Sequence, residues 1–375
     1  MATKTARRII GWHFSIFLTA SPRPVLGLDI SSTAVKLVEL SSSTDGYKVK
    51  AWHALPLPVN TIVEKEIINV TALTQILKQL IAESGTELRD VAVAIPDVLV
   101  ITKEVELPSG LTDLQLEEQI VIEISEYIAY PAEDVAFDFE VTEPFGHDQD
   151  LIKVSVTACR KRNIDDLKQA IENAELRLDA IDVQSRAVER AFKLIQPQSK
   201  LIQSQSIDTD SESKVVAIAD IGMTTFNLYL LLDGAVIHSR EQLFGGKHLV
   251  EEIQRRYGLS WNDFCQAKSD NLLPHDYESA ALVPFKRMLI EHIVRALQIF
   301  YSSSDHNHID QLFLVGGFSV LQGLVSDIDA TLSVPTELAN FLADMSISEE
   351  LDYSAVIDAG PSMLLAIGLA LRCFV

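Results

Sequence analysis

The sequence predicts an α/β fold of two similar halves, and three observations carry that expectation. Short apolar runs with strand spacing alternate with helical stretches whose apolar residues recur every three or four positions. One motif occurs twice: Leu26-Gly27-Leu28-Asp29-Ile30-Ser31-Ser32-Thr33 and Ile218-Ala219-Asp220-Ile221-Gly222-Met223-Thr224-Thr225 each end a strand near an Asp and continue into a turn of small residues. Between the halves, Gln196 to Ser213 holds Gln-Ser repeats and acidic residues without apolar periodicity, which reads as a linker or exposed loop. A chain of 375 residues has room for two or more domains. Its 47% hydrophobic content argues against disorder over most of the length.

In the first half, Val25 to Ile30, Ala34 to Leu40 and Tyr47 to Leu57 read as a meander of strands, separated by Ser/Thr-rich and Asp45-Gly46 turns. From Thr71 onward the spacing of Leu73, Ile76, Leu77, Leu80 and Ile81 predicts a helix, and Asp90 leads into a buried strand over Val91 to Ile95, closed by Pro96. The pattern then changes. Ile101 to Leu107 alternates apolar with charged residues, Leu111 to Tyr130 reads as an acidic helix ending at Pro131, and Val135 to Val141 with Leu151 to Thr157 as an antiparallel pair. A helix over Asn163 to Leu176 completes an inserted α/β subdomain at 99–178, after which Leu178 to Val183 and the helix beyond Gln184 return to the first layer.

The second half repeats the plan. Strands are expected over Val215 to Ile221, Asn227 to Leu232 and Ala235 to Leu243, and Gly245-Gly246-Lys247 opens a helix to Tyr257. Phe285, Leu289, Ile293, Leu297 and Phe300 mark the apolar face of a long helix. Gln311 to Val315 reads as a buried strand closed by Gly316-Gly317, and Pro361 begins the last helix.

Charge narrows the function classes. Thirty-one basic against fifty-three acidic side chains give −22, a field that repels phosphate backbones and anionic lipid, excludes a nucleic-acid binder and favours a basic partner. Cys159, Cys265 and Cys373 show neither disulfide nor metal spacing, as expected in a reducing compartment. At the amino terminus Arg7 and Arg8 precede an apolar stretch, Ile9 to Leu18, that is half the roughly 20 residues needed to span a bilayer. We read it first as a disordered or loosely docked tail, second as a surface-lying segment and last as an export signal, and no later stretch reads as a membrane span.

The repeated motif has a chemical reading. Small residues let backbone N–H groups and hydroxyls approach phosphate oxygens, while an Asp at the strand end can hold the water shell of Mg²⁺. Asp29 with Ser31, Ser32 and Thr33, and Asp220 with Gly222, Met223, Thr224 and Thr225, are therefore candidates for polyphosphate and metal, the latter through water. Gly316, Gly317, Phe318 and Ser319 form a third turn that suits the close approach of a base and sugar. Gly245, Gly246 and Lys247 place a helix N-terminus and a cation near negative charge. Lys36 reads as structural, and His306 with His308 as a polar loop without metal.

In this order the motifs resemble the actin, Hsp70 and sugar-kinase superfamily. Within it, Leu26 to Leu40, Val91 to Pro108 and Gly360 to Phe374 are similar to the PilM family, the FtsA-like cytoplasmic components of type IV pilus assembly. The resemblance covers roughly residue 25 to the end. It implies a two-lobed ATPase fold with ATP or ADP and Mg²⁺ in the cleft between the halves. The domains become a tail (1–24), subdomain 1A (25–98 and 179–200), 1C (99–178), a linker loop (201–214), 2A (215–256 and 306–375) and 2B (257–305). Asp29 and Asp220 match the metal-associated aspartates; Ser31, Ser32, Gly222, Thr224 and Thr225 match the phosphate turns, and Gly316, Gly317 and Ser319 the adenosine turn. One departure is Ser31, where many relatives have Gly.

The same resemblance implies a nucleotide-regulated scaffold, cytoplasmic and peripheral at the inner membrane through protein partners. Its expected partner is the N-terminal cytoplasmic peptide of the inner-membrane protein PilN, bound where 1A meets 1C, with other platform proteins and motor ATPases beyond it and self-association left open. Glu117, Glu118, Glu123 and Glu126 on the acidic helix suit such a basic peptide. No residue announces itself as the group that orients an attacking water, Gln184 and Ser185 reading better as a helix start, so at most slow hydrolysis is expected. The alternatives are an FtsA-like division protein, which typically adds a carboxy-terminal amphipathic helix where this sequence stops at Val375, and a sugar or carboxylate kinase, for which no catalytic Asp stands out.

Overall fold

A computed structural model describes residues 23–374, apart from 45, 129, 145–150 and 196–212. Most of the tail and of the polar stretch after Ile195 therefore lies outside the described residues. The chain divides into two compact units, one of Met1–Ala191, Met345–Leu351 and Leu365–Val375, the other of Phe192–Asp344 and Asp352–Leu364.

In the first unit β1 (Leu26–Ile30), β2 (Ala34–Ser43) and β3 (Gly46–Pro56) form the antiparallel meander that the turn signals predict. A small hairpin, β4 (Ile62–Val63) and β5 (Glu66–Ile67), precedes α1 (Val70–Ser84), whose first turn is capped by Asn69 accepting from the Ala72 N–H at 2.9 Å. Then β6 (Asp90–Ile95) lies parallel to β1 and leads into β7 (Val100–Pro108), α2 (Asp113–Ser125), β8 (Val135–Pro144), β9 (Leu151–Arg160) and α3 (Lys161–Asn173). β10 (Arg177–Val183) pairs parallel with β6, and α4 (Gln184–Ile195) follows it. The main sheet runs β10-β6-β1-β2-β3, with Ser346–Ile347 added parallel to β3.

The inserted region makes its own sheet, β7-β9-β8, roofed by α2. Leu116, Ile120 and Ile124 of α2 pack on Val105, Leu107, Val154, Val156 and Ala158. That helix is shorter than the apolar pattern predicts. A capping box between Thr112 and Gln115 starts it, and the Ser125 hydroxyl, donating to the Ile122 carbonyl at 2.6 Å, competes with the ladder at its end. The apolar face of α3, with Ile164, Leu167, Ala170 and Ile171, joins α1 and the main-sheet core rather than that of the insert.

The second unit repeats the first. β11 (Val215–Ile221), β12 (Phe226–Leu232) and β13 (Ala235–Gln242) form a meander. It is followed by α5 (Lys247–Tyr257), α6 (Trp261–Ser269), α7 (Val283–Ser303), β14 (Gln311–Val315), α8 (Leu324–Leu332), β15 (Thr336–Leu338) and α9 (Tyr353–Ala359). Its sheet runs β13-β12-β11-β14-β15, with β14 parallel to β11 and β15 parallel to β14. Three antiparallel strands followed by two parallel ones is also the order β3-β2-β1-β6-β10 of the first unit, so the sequence repeat is a repeat of topology. Phe285, Leu289, Ile293, Leu297 and Phe300 are all buried, as their spacing predicts.

The last helix, Leu364–Ala370, shows why small residues stand where they do. A Cβ on Gly27 would lie 1.8 Å from the Ala366 carbonyl oxygen, and one on Gly368 would lie 2.0 Å from that of Ala187. This helix crosses β1 and α4 at backbone contact, so residues 365–375 belong to the first unit, although the sequence reading groups 306–375 with the second half. Among the described residues no single helix is long and apolar enough to cross a membrane; the apolar pair Tyr353–Ser362 and Leu364–Cys373 is bent by 99°.

Candidate functional site

The two repeated turns share one backbone hydrogen bond and one cross-strand register. In the first, the Ser31 N–H donates to the Ala34 carbonyl at 2.9 Å; in the second, the Gly222 N–H donates to the Thr225 carbonyl at 2.9 Å. Counted from each aspartate, these are the same two positions. The registers agree as well, with Asp29 opposite Lys36 and Asp220 opposite Asn227 across their hairpins.

In the first turn Asp29 is buried, and Lys36 Nζ reaches its Oδ2 at 3.2 Å. Lys36 is thus the counter-ion of the candidate metal-associated carboxylate, a role that sequence reasoning missed. The signal was available: a hairpin turning at Ser32-Thr33 puts residues 29 and 36 in cross-strand register. Ser31 does what a glycine turn cannot. Its Oγ donates to the Ala34 carbonyl at 3.0 Å and accepts from the Ala34 N–H at 3.1 Å, so the hydroxyl is spent on holding the turn. Ser32 and Thr33 are half-buried beside it, and the Thr33 carbonyl accepts from the Leu57 N–H at 2.8 Å.

In the second unit the structure brings three separate motifs to one end of the sheet. The Gly222 and Met223 carbonyls accept from the Gly246 N–H at 3.0 Å and the Lys247 N–H at 2.7 Å. The leading N–H groups of α5 therefore hold the phosphate-type turn in place, and a Cβ on Gly245 would strike those same carbonyls at 2.6 Å. Lys247 is exposed, with its Nζ 3.6 Å from Glu251. Phe318 is buried, and its ring lies where a Cβ on Gly246 would be, 2.0 Å from the nearest ring carbon. Gly246 and Phe318 form one packed joint. Gly316, at φ +92°, lets the chain pass within 2.4 Å of the Asp220 carboxylate as measured from its absent Cβ, whereas Gly317 is exposed with nothing within 4 Å of that position. The Ser319 hydroxyl is buried and donates to the Gly316 carbonyl at 2.7 Å. Thr224 and Thr225 stay half-buried in the turn. The backbone left open to a ligand here is that of Gly317.

As to a metal, no group of three or more His, Cys, Asp or Glu residues fit to hold an ion occurs among the described residues. One carboxylate per turn, that of Asp29 held by a lysine, suits contact through water rather than direct ligation.

Two further polar arrangements support the first unit. Asp182 is fully buried and accepts from Arg372 at 2.9 Å and from Arg190, whose Nε also donates to the Gly368 carbonyl at 2.7 Å. This network ties the last helix to β10 and α4. Asp97 accepts hydrogen bonds from the side chain and backbone of Ser185 in the first turn of α4, and burial holds its carboxyl above the usual range. On α2, Glu118 and Glu126 are exposed, and Glu117 is raised by burial and then by Asp113.

A duplicated β-sheet unit with the same Asp-ended hairpin in both copies is an actin-like α/β fold. The PilM family of type IV pilus assembly proteins matches residues 27–374, and the chain belongs to it. A PilM–PilN type IV pilus biogenesis complex is 26% identical, with a TM-score of 0.72, over 94% of this chain and 99% of that one. The ethanolamine utilization protein EutJ of Carboxydothermus hydrogenoformans, 14% identical with a TM-score of 0.51 over 94% of this chain and 92% of that one, shares the fold. The family match and the PilM–PilN likeness leave the cell-division and sugar-kinase alternatives unfavoured.

Proposed function

We propose that this member of the type IV pilus assembly family is an ATP- or ADP-binding scaffold whose two Asp-ended turns hold nucleotide phosphates and, through water, Mg²⁺. The observation that carries the reading is the identity of the two turns in hydrogen bond and register. Asp29 and Asp220 serve the hydrated metal, Ser32, Thr224 and Thr225 serve phosphate from turns that the Ser31 and Gly222 N–H groups hold closed, and Gly317 lies under the adenosine. The loop-holding roles of Gly245, Gly246, Lys247 and Phe318 set the second turn's shape. Turnover is slow at most.

The partner is the N-terminal cytoplasmic peptide of PilN, the second component of the matched complex. Support comes from the acidic α2 and from the chain's net charge of −22. The protein then works in the cytoplasm, held at the inner membrane by its partners, with other platform proteins and motor ATPases reached through the same assembly. Calorimetric titration of MgATP and of a PilN amino-terminal peptide tests this. Binding of both is expected, with the nucleotide lost in Asp220→Ala and the peptide weakened by added salt. No nucleotide heat in the wild type, or peptide affinity indifferent to ionic strength, overturns the corresponding half.

A further inference from the structure

Helix α2 carries apolar residues on two faces. Leu116, Ile120 and Ile124 pack on the insert's sheet, whereas Leu114, Val121 and Ile122 are 53%, 36% and 57% exposed. A helix that packs on one sheet needs one apolar face, and a second, exposed one marks a contact surface. Spacings of three and four residues bring the exposed set together with Glu118 and, at the C-cap, Glu126. Both glutamates are exposed and lie about 12 Å apart along the axis, with Val121 and Ile122 between them.

The second unit holds a groove with the matching pattern. It follows α7 from Val283 to Gln298, has α8 as its opposite wall and encloses about 720 Å³. Its length, about 22 Å, takes the 13 residues of α2. Ile290, Val294 and Ala330 supply apolar lining. Lys286 is buried, and its ion pair with Asp327 at 2.6 Å cancels its charge. Arg287 and Arg295 differ. Both are exposed on the rim, and among the described residues neither forms an ion pair, although Glu291 stands four positions from each. They too lie about 12 Å apart, with Ile290 and Val294 between them. In a chain of net charge −22, two such arginines beside an apolar floor reverse the field locally.

We infer that α2 of a second copy of this chain lies in the α7–α8 groove, Val121 and Ile122 against Ile290 and Val294, with Glu118 and Glu126 each reaching one of the two rim arginines. The helix face and the groove are different patches, so the contact is heterologous: every copy offers one of each, and association runs head to tail. One helix in one groove buries less than the roughly 1,200 Å² of a lasting complex, so the assemblies exchange and grow with concentration. Neither the nucleotide reading nor the peptide reading enters this inference.

Sedimentation velocity of the full chain without nucleotide tests it. The mean mass of the wild type should rise with concentration. Glu118→Arg/Glu126→Arg and Arg287→Glu/Arg295→Glu should each weaken association about tenfold or more, the first even though it lowers the net charge that drives copies apart. An equimolar mixture of the two variants should associate as the wild type does, because each surface then meets the opposite charge on its neighbour. Ile122→Ser should weaken association about tenfold without any change of charge. All five positions are exposed, and thermal melting at the wild-type temperature verifies that each variant is folded. A wild type that stays monomeric at millimolar concentration overturns the inference. So does association undiminished in either charge variant, and so does a mixture that fails to recover it. A monomeric wild type that binds a synthetic acidic amphipathic helix, with the binding lost in Arg287→Glu/Arg295→Glu, gives the groove to a different partner and overturns it equally.

Discussion

Gly316 and Gly317 are neighbours in the sequence with opposite expected responses to a single methyl group. At Gly316 an added Cβ would stand 2.4 Å from Asp220 Oδ1, 2.5 Å from the Ile221 carbonyl oxygen and 2.7 Å from the Ile221 nitrogen, and two of these atoms are backbone that cannot swing aside. Its φ of +92° adds about 1–2 kcal/mol for any L side chain. Overlap of this severity costs about 1–3 kcal/mol more. Gly316→Ala should therefore destabilise the second unit by about 2–5 kcal/mol, a loss of roughly 4–20 °C in Tm. Gly317→Ala meets nothing within 4 Å and should stay within about 0.5 kcal/mol of the wild type. The assay is thermal melting with and without MgATP, since a ligand at 100 times its Kd stabilises by about 2.7 kcal/mol. Gly317→Ala should melt like the wild type without nucleotide and lose part of the nucleotide shift. A Gly316→Ala protein as stable as the wild type refutes the packing argument, and an undiminished shift in Gly317→Ala refutes the adenosine assignment.

Two further outcomes follow from the first unit's buried charges. Arg372→Met takes one of the two guanidinium groups from the fully buried Asp182, whose other partners are Arg190 and the Val183 N–H, and should cost about 3 kcal/mol, read as a lowered urea midpoint; an unchanged midpoint would show that the Arg372 contact contributes nothing. The Asp97 carboxyl is raised by burial, against the Ser185 hydrogen bonds that lower it, so the folded state binds its proton more tightly than the unfolded chain does. Stability contributed by this group is therefore greatest below the ordinary carboxylate range and falls as pH rises through the raised value. Asp97→Asn should lack that slope and gain on the wild type between about pH 4 and neutrality, whereas parallel stability curves would remove the assignment.

Much of this architecture is legible from local pattern. A hairpin's register is arithmetic once its turn is located, so the two Asp-ended motifs, their strands and even the Asp29–Lys36 pairing lie within reach of the sequence. The apolar face of α7 is equally local, because helical spacing alone brings Phe285, Leu289 and Ile293 to one side. The roles of Gly246 and Phe318 are not. Both motifs look like ligand contacts in isolation, and only their packing against each other reveals a joint. Ser31 is a similar case, since a hydroxyl in a phosphate-type turn serves ligand or backbone equally well until its partners are seen.

Composition and periodicity thus settled the α/β class, the duplication, the acidic field and the residues of both turns, because each depends on neighbours a few positions away. Folding alone decided that α5 spends its leading N–H groups on the Gly222-Met223 carbonyls, that the last helix returns to β1 at Gly27, and that Asp182 meets Arg372 across 190 positions. Apolar burial drives such encounters without direction. An amphipathic helix therefore states that it has a partner face, while the shape left by all the other segments determines which face that is.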